Sequence, residues 1–387
     1  MTTDLPDDIQ EEQSVEPDIA IDVSIPDMLL PPPAEEESVD EIKDDVDVSF
    51  NFAFIGAGQG GSRLAETFHT LGYRKIAAIN TAEQDLNTVK IDNKLLIGDG
   101  GAGKDRQFAK DIFSSKREDV IDFMRYSFGD HLDRIFVCAG AGGGTGAGVA
   151  CQLANAAHEL QETVNAKSKQ VGMILALPKK AEGAKVAANA SDTLIEAWEL
   201  VKSGVVSPLI ILDNERINKL YPKLVVSNFW NTANMSVAGL FHLFNLTTAK
   251  DSTYTSFDSN DYKTLLDSGL MVFGASPVKD WKDPVSISRA IRENLQNNLL
   301  SGDIDLATGD TAAAVIIGNK EQLDNIPQSS VDQAVSQLNR VLKPGSTVHS
   351  GIYTGDRDTL TIFTAIGGLG MPHKVISNLV PGYKRNT

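Results

Sequence analysis

The chain is 387 residues long with an ordinary apolar share of 42%, enough to bury the cores of two or three domains. Its formal charge of −17 sits at one end: the first 50 residues hold 17 of the 52 acidic side chains and one base, Lys43, while the rest carries 35 acids against 34 bases. A body without a general basic field argues against non-specific nucleic-acid binding. The two cysteines, Cys138 and Cys151, are too few for a disulfide framework or zinc site and read as small core residues. No stretch reads as a leader or membrane span, which makes the expected location cytoplasmic, without direct membrane insertion.

Residues 1–45 read as a disordered acidic tail, with Pro31–Pro33 and Glu35–Glu37 and few aromatics; Ile25–Leu30 is its one apolar patch. Val46 to Phe54 alternates with period two and predicts a long first strand. It runs into Gly56-x-Gly58-Gln59-Gly60-Gly61, a glycine fingerprint at a strand-to-helix junction, with a helix expected over Ser62–Leu71. A second strand, Ile76–Ile79, ends at Asn80-Thr81, where a dinucleotide fold would place a carboxylate for the ribose. A second glycine loop, Gly98–Gly103, includes Gly101, Ala102 and Gly103, and one helix of mixed polarity is expected over Arg106–Phe128. The apolar strand Arg134–Cys138 then leads into Ala139–Gly148, AGAGGGTGAG, and an alanine-rich helix over Val149–Leu160. Such a junction offers free backbone N–H groups, the positive end of a helix dipole and no Cβ atoms in the way of an anion. Without Gly-Lys-Ser/Thr it is not a P-loop. A dinucleotide fold uses one glycine loop of this kind; three imply a ligand with several phosphates gripped from several sides.

Further along, a strand over Val171–Leu177 ends at Pro178, a helix spans Glu182–Lys202 and a strand Leu209–Leu212 precedes Asp213-Asn214-Glu215. A long helix runs from Val226 to about Asn245. Strands at Leu270–Ala275 and Thr311–Ile317, helices at Pro284–Leu300 and Gln328–Leu342, and strands Thr347–Tyr353 and Thr359–Ala365 paired across a polar turn make a second, smaller α/β domain.

The three loops in this order resemble the tubulin/FtsZ family of polymer-forming GTPases. Gly142–Gly148 reads GGGTGAG beside that family's GGGTGTG or GGGTGSG, Ile79-Asn80-Thr81 matches its Ile-Asn-Thr, and Gly98–Gly103 its second glycine loop. The resemblance covers about Ser49 to Gly370. It implies an α/β fold: a tubulin/FtsZ-like nucleotide-binding domain with a Rossmann-like parallel sheet (46–225), a long central helix (226–247), a catalytic loop region (248–265), a second smaller α/β domain (266–370) and a short tail (371–387). It implies GTP or GDP with Mg2+ bridging the phosphates, with few or no direct protein ligands to the metal. The nucleotide would be held by Gly56, Gly58, Gln59, Gly60, Gly61, Asn80, Thr81, Gly101, Ala102, Gly103, Gly142, Gly143, Gly144, Thr145 and Gly146. Pro178, Glu182, Asn214, Trp230 and Asn234 would complete the ribose and base side. Trp230 falls on the family's base-stacking aromatic. Met235 replaces its base-reading aspartate, leaving Asn234, Asn231 or Asn228 for the base, and Val186 replaces an arginine, with Lys185 nearby. Asp258 and Asp261 match the catalytic acids, with Ser256 in place of the leading asparagine. In the family that loop completes the site of the next subunit, so head-to-tail self-association into protofilaments is expected. An adaptor reached through the N-terminal tail and a DNA-bound or phage partner are further expectations. The alternatives are a scaffold filament without efficient hydrolysis, and a Rossmann-type nucleotide enzyme. For Asp258, a helix N-cap is the plain alternative.

Overall fold

The computed structural model describes residues 48–355 and 358–381. The acidic tail, the Asp356-Arg357 part of the polar turn and the last six residues lie outside them. In chain order the first elements are β1 (Phe52–Ala57), α1 (Gly58–Thr70), β2 (Lys75–Asn80), α2 (Glu83–Asn87), β3 (Asn93–Leu96), α3 (Arg106–Ser115), α4 (Arg117–Phe128), β4 (His131–Leu132), β5 (Arg134–Gly140), α5 (Thr145–Thr163), β6 (Asn165–Ala166), β7 (Val171–Leu177), α6 (Ala184–Lys202), β8 (Val206–Asp213) and α7 (Asn214–Leu220). The long helix α8 (Val226–Thr247) leads to α9 (Ser259–Leu266), β9 (Leu270–Pro277), α10 (Ser286–Glu293), β10 (Thr311–Gly318), α11 (Lys320–Asn325), α12 (Gln328–Val341), β11 (Thr347–Thr354), β12 (Thr361–Leu369) and α13 (His373–Leu379).

Ten strands form one sheet in the order β11-β10-β12-β9-β8-β7-β5-β1-β2-β3. From β9 through β3 every neighbouring pair is parallel. Parallel strands are covered on both faces, which is why β1, β5 and β7 are near-continuous apolar runs. Alternation then divides each strand between two cores. Phe52, Phe54 and Phe136 pack with Phe68 of α1 and Phe241 and Phe244 of α8, whereas Ala53, Ile55 and Val137 join Phe113, Met124 and Leu153 of α3, α4 and α5. Helix α8 is buried almost all round from Ala233 to Asn245, as a helix threaded through a core must be. The expected α/β fold with a parallel sheet and long central helix is present; β9–β12 continue the same sheet, joined to it through two registered pairs, Leu209–Leu270 and Ile210–Met271.

Five expectations change. The first strand begins at Phe52, because the backbone before it bonds to the end of α8: Ser49 N donates to Asn245 O, and Phe50 exchanges both its backbone groups with the Asn245 side chain, each at 3.0 Å. The helix expected over Arg106–Phe128 breaks at Lys116; the Ser114 and Ser115 hydroxyls bond back to Lys110 O and Ile112 O, competing with the helix ladder. The helix expected to reach Leu300 is regular only to Glu293 and widens into a π-turn at Asn294–Asn298. That turn seats buried Asn294 against Gly274 and lets it accept from Thr364 Oγ1 at 2.9 Å. The two last strands do not pair: β10 lies between them, parallel to β11 and antiparallel to β12. Fully buried β10 needs a neighbour on each side, while β11, half exposed over its first half, suits the edge. Finally, the short C-terminal tail contains α13, anchored through buried Val375 and Ile376.

Candidate functional site

Strand order reverses at β1, with β2 on one side and β5 on the other. Ligands of open α/β sheets bind beyond the strand C-termini at such a point. A cavity of about 500 Å³ opens there, within the range of small-molecule sites. Three loops build its floor: Gly58, Gln59 and Gly60 open α1; Gly101, Ala102 and Gly103 precede α3; Gly142, Gly143, Gly144, Thr145 and Gly146 lead into α5. Neither α1 nor α5 has an acid in its first turn, so neither helix offsets its own N-terminal amides and dipole, which favour an anion. Gly58 has φ +68°, which lets the chain turn from strand to helix within one residue. Asn80 and Thr81 come from the end of β2, Pro178 and Glu182 from the segment after β7, Asn214 from α7, and Trp230 and Asn234 from the first turns of α8.

Gly56 and Gly61 do not line the cavity. A Cβ on Gly61 would stand 2.2 Å from Cys138 O, and one on Gly56 2.5 Å from Gly61 O; these two glycines let α1 lie flat against β1 and β5. Met235 and Val186 are buried, Met235 in the core shared with α8 and Val186 against Gly142. Of the three asparagines considered for the base, Asn234 lines the cavity and Asn228 and Asn231 do not; Lys185 is exposed elsewhere.

Several groups hold this arrangement. Thr81 and Thr145 share a hydroxyl hydrogen bond of 2.7 Å between β2 and α5. Asp85 accepts from Gln59 Nε2 at 3.0 Å and Asn80 Nδ2 at 3.2 Å. Asp213 caps α7 by accepting from the Glu215 and Arg216 amides; burial raises its pKa, and those amide bonds work the other way. The cap presents Asn214, whose side-chain oxygen is buried without a hydrogen-bond partner, a group that calls for a ligand donor. Trp230 is 39% exposed and stands edge-on to Phe229, with the Lys179 ammonium 4.5 Å over the Phe229 ring and 5.3 Å over the indole.

Four contributors are not singled out by the motifs. Arg63 and Lys104 bring positive charge to the cavity and Asp85 joins Glu182 as its carboxylates. Asn189 of α6 donates to Lys104 O, Gly142 O and Gly143 O at 3.1–3.3 Å, tying two glycine loops together. Its one sequence signal is a polar amide within the alanine-rich run Val186–Ala190.

Asp258 and Asp261 lie outside this cavity. Asp258 is the N-cap of α9, accepting from the amides of Asn260 at 2.8 Å and Asp261 at 2.9 Å. Asp261 completes a capping box by accepting from the Asp258 amide, and its Oδ1 lies 2.7 Å from Nδ1 of His349 on β11. Both acids thus follow α8, whose opposite end carries Trp230 and Asn234.

A family model described as "Tubulin/FtsZ family, GTPase domain" matches residues 51–222. The tubulin-like protein TubZ of Bacillus cereus is 24% identical over 287 residues, which is 67% of this chain; the match spans 63% of that relative's length. Cell division protein FtsZ 1 of Pyrococcus furiosus is 26% identical over 341 residues, 85% of this chain and 82% of its own. In fold, the chain superposes on TubZ of Bacillus thuringiensis serovar israelensis, from a crystal structure of its GTPγS-form protofilament, with TM-score 0.74, 19% identity, and 86% and 91% of the two chains covered. Three glycine loops close one cavity beyond a reversed parallel sheet, a long helix runs from its rim, and the residues that build those loops lie within 51–222, the stretch that matches the tubulin/FtsZ family's GTPase domain.

Proposed function

We propose that the protein binds GTP in the glycine-lined cavity, associates head to tail with copies of itself, and hydrolyses GTP to GDP and phosphate where two subunits meet. The observation that carries this reading is the convergence of three glycine loops and two acid-free helix N-termini on one cavity, a shape suited to a chain of phosphates. Asn214, Asn234 and Trp230 stand on its base side. Two lining carboxylates, one of them bonded to Gln59 and Asn80, fit a magnesium ion held mainly by phosphates and water; that ion would neutralise phosphate charge. Asp258 and Asp261, at the far end of α8, are the acids to orient the attacking water in the neighbour's site. Delivering them from a second subunit avoids placing fixed negative charge against the nucleotide in the monomer and ties turnover to assembly. Filaments of this kind would serve division, DNA segregation or phage-genome positioning, with an adaptor, DNA-bound or phage partner.

A second reading, a scaffold filament with little hydrolysis, is favoured by one observation: both acids are already engaged within their own subunit, in the α9 capping box and with His349. Measuring GTP turnover per subunit against protein concentration separates the two. Turnover that rises cooperatively with sedimentable polymer supports hydrolysis at contacts. Polymer without turnover supports the scaffold, and equal competition by ATP and GTP rules out guanine selectivity.

A further inference from the structure

A second cavity, of about 450 Å³, lies beside the first and shares Pro178 with it. Its floor is apolar, formed by Leu177 of β7, Leu299 after the π-turn and Val375 of α13, and half-buried Leu295, Ile304 and Leu379 stand around it. Four cations border it: Lys179, Lys180, Arg216 and Lys219. Among the described residues none of them is paired with a carboxylate. Arg216 donates to the carbonyls of Gln296 and Asn297 at 3.2 and 2.5 Å, and Lys179 lies over the Phe229 ring. The three acids at the same wall are occupied: Asp213 caps α7, Glu215 accepts from the Lys180 amide at 3.1 Å, and Asp303 accepts from Asn378 at 2.8 Å. The cavity thus has an apolar floor and an edge with four cations against three acids, the acids held by amide donors and the cations free of carboxylate partners among the described residues.

We propose that residues 18–37 of the N-terminal tail dock into this cavity of their own chain. That segment has the complementary pattern: Ile25, Met28, Leu29 and Leu30, with Asp27 among them, between the acids Asp18 and Asp22 on one side and Glu35–Glu37 on the other. Reach allows it. From Val48, four residues ahead of β1, to the end of β8 is that four-residue lead plus one strand length and three strand spacings, at most about 40 Å; the 17 residues between Leu30 and Val48 can span up to roughly 56 Å when extended. Attachment in one chain gives an effective concentration on the order of millimolar, so a modest intrinsic affinity suffices.

Carbodiimide coupling, which joins a carboxylate directly to an amine in contact with it, tests this on the full-length protein. A mixture of unlabelled and 15N-labelled chains is coupled without nucleotide at low concentration and mapped by mass spectrometry. The expected result is links from Asp27 and Glu35–Glu37 to Lys180 and Lys219, within one isotopic form. In the tail variant Leu29→Asp/Leu30→Asp, whose changes lie outside the packed body, those links should fall by about fivefold or more, since each leucine loses its apolar burial. Attraction of charge alone would make the same variant couple more, because it is more acidic. Links scattered evenly over surface lysines, links undiminished in the variant, or links between labelled and unlabelled chains would each overturn docking of the tail in its own cavity.

Discussion

Gly143 and Gly144 are neighbours with opposite tolerances. A Cβ on Gly143 meets nothing within 4 Å, whereas one on Gly144 lies 2.8 Å from Ala102 Cβ and 3.0 Å from Lys104 N. Gly143→Val should therefore grow into the cavity without disturbing the loops. We expect its melting temperature to stay near wild type while GTP affinity falls about tenfold or more, at least 1.4 kcal/mol; unchanged affinity in a titration of the folded monomer would remove the loop from the site. Gly144→Val should lower both. His242 carries a different signal. Burial first, and then the charge of Lys250, depress its pKa from 6.5 to about 4. A depressed histidine pKa means that the unfolded chain takes up the proton first as pH falls, so stability is lost from about pH 6.5 downward, by about 2 kcal/mol at pH 5. Urea midpoints at pH 7.5 and 5 should show that slope in wild type and a shallower one in His242→Gln. At this scale the sequence tells much about glycines, because a missing side chain has few uses between a strand and a helix. It tells little about Asn189 and Asp85, whose roles come from what the fold brings to them.

Elements were most legible where a period repeats and least where a side chain diverts the backbone. The apolar runs at β7 and β8 and the length of α8 follow from hydrophobic pattern alone. The π-turn at Asn294–Asn298 follows from Asn294 meeting Gly274 and Thr364 on two distant strands, and the displacement of β11 to the edge follows from β10 needing two neighbours. The start of β1 depends on one residue of another element. Buried Asn245 accepts from Phe50 N and donates to Phe50 O and to the Tyr73 hydroxyl at 3.0–3.1 Å. Asn245→Ala should leave those groups without partners and cost about 3 kcal/mol, read as a lower urea midpoint with an unchanged slope. A loss below 0.5 kcal/mol would mean that the clamp is not what fixes this junction.

Across the whole molecule, the glycine cavity and the acids Asp258 and Asp261 are separated by the length of α8. Catalysis in trans predicts that Asp261→Ala folds, binds GTP and polymerises while turning over at least about a hundredfold more slowly, within the range of a lost acid–base group. Mixing Asp261→Ala with Gly143→Val should restore part of the turnover, because some contacts then join an intact cavity to an intact acidic loop. Full turnover in Asp261→Ala polymer alone would discard the assignment. His349→Gln, which keeps a hydrogen-bond donor opposite Asp261, distinguishes loss of the carboxylate from loss of its local tether.

The sheet is one continuous surface, but not an evenly fastened one. Seven registered pairs hold β10 to β12 and two hold β8 to β9. When one half of the sheet is drawn along its strands past the other, the load at β8–β9 falls on the fewest backbone bonds, while each half remains knit by its own. In mechanical terms the molecule carries a shear plane between Leu209-Ile210 and Leu270-Met271, and the tension on any polymer built from it would concentrate there before it reached the packed interior on either side.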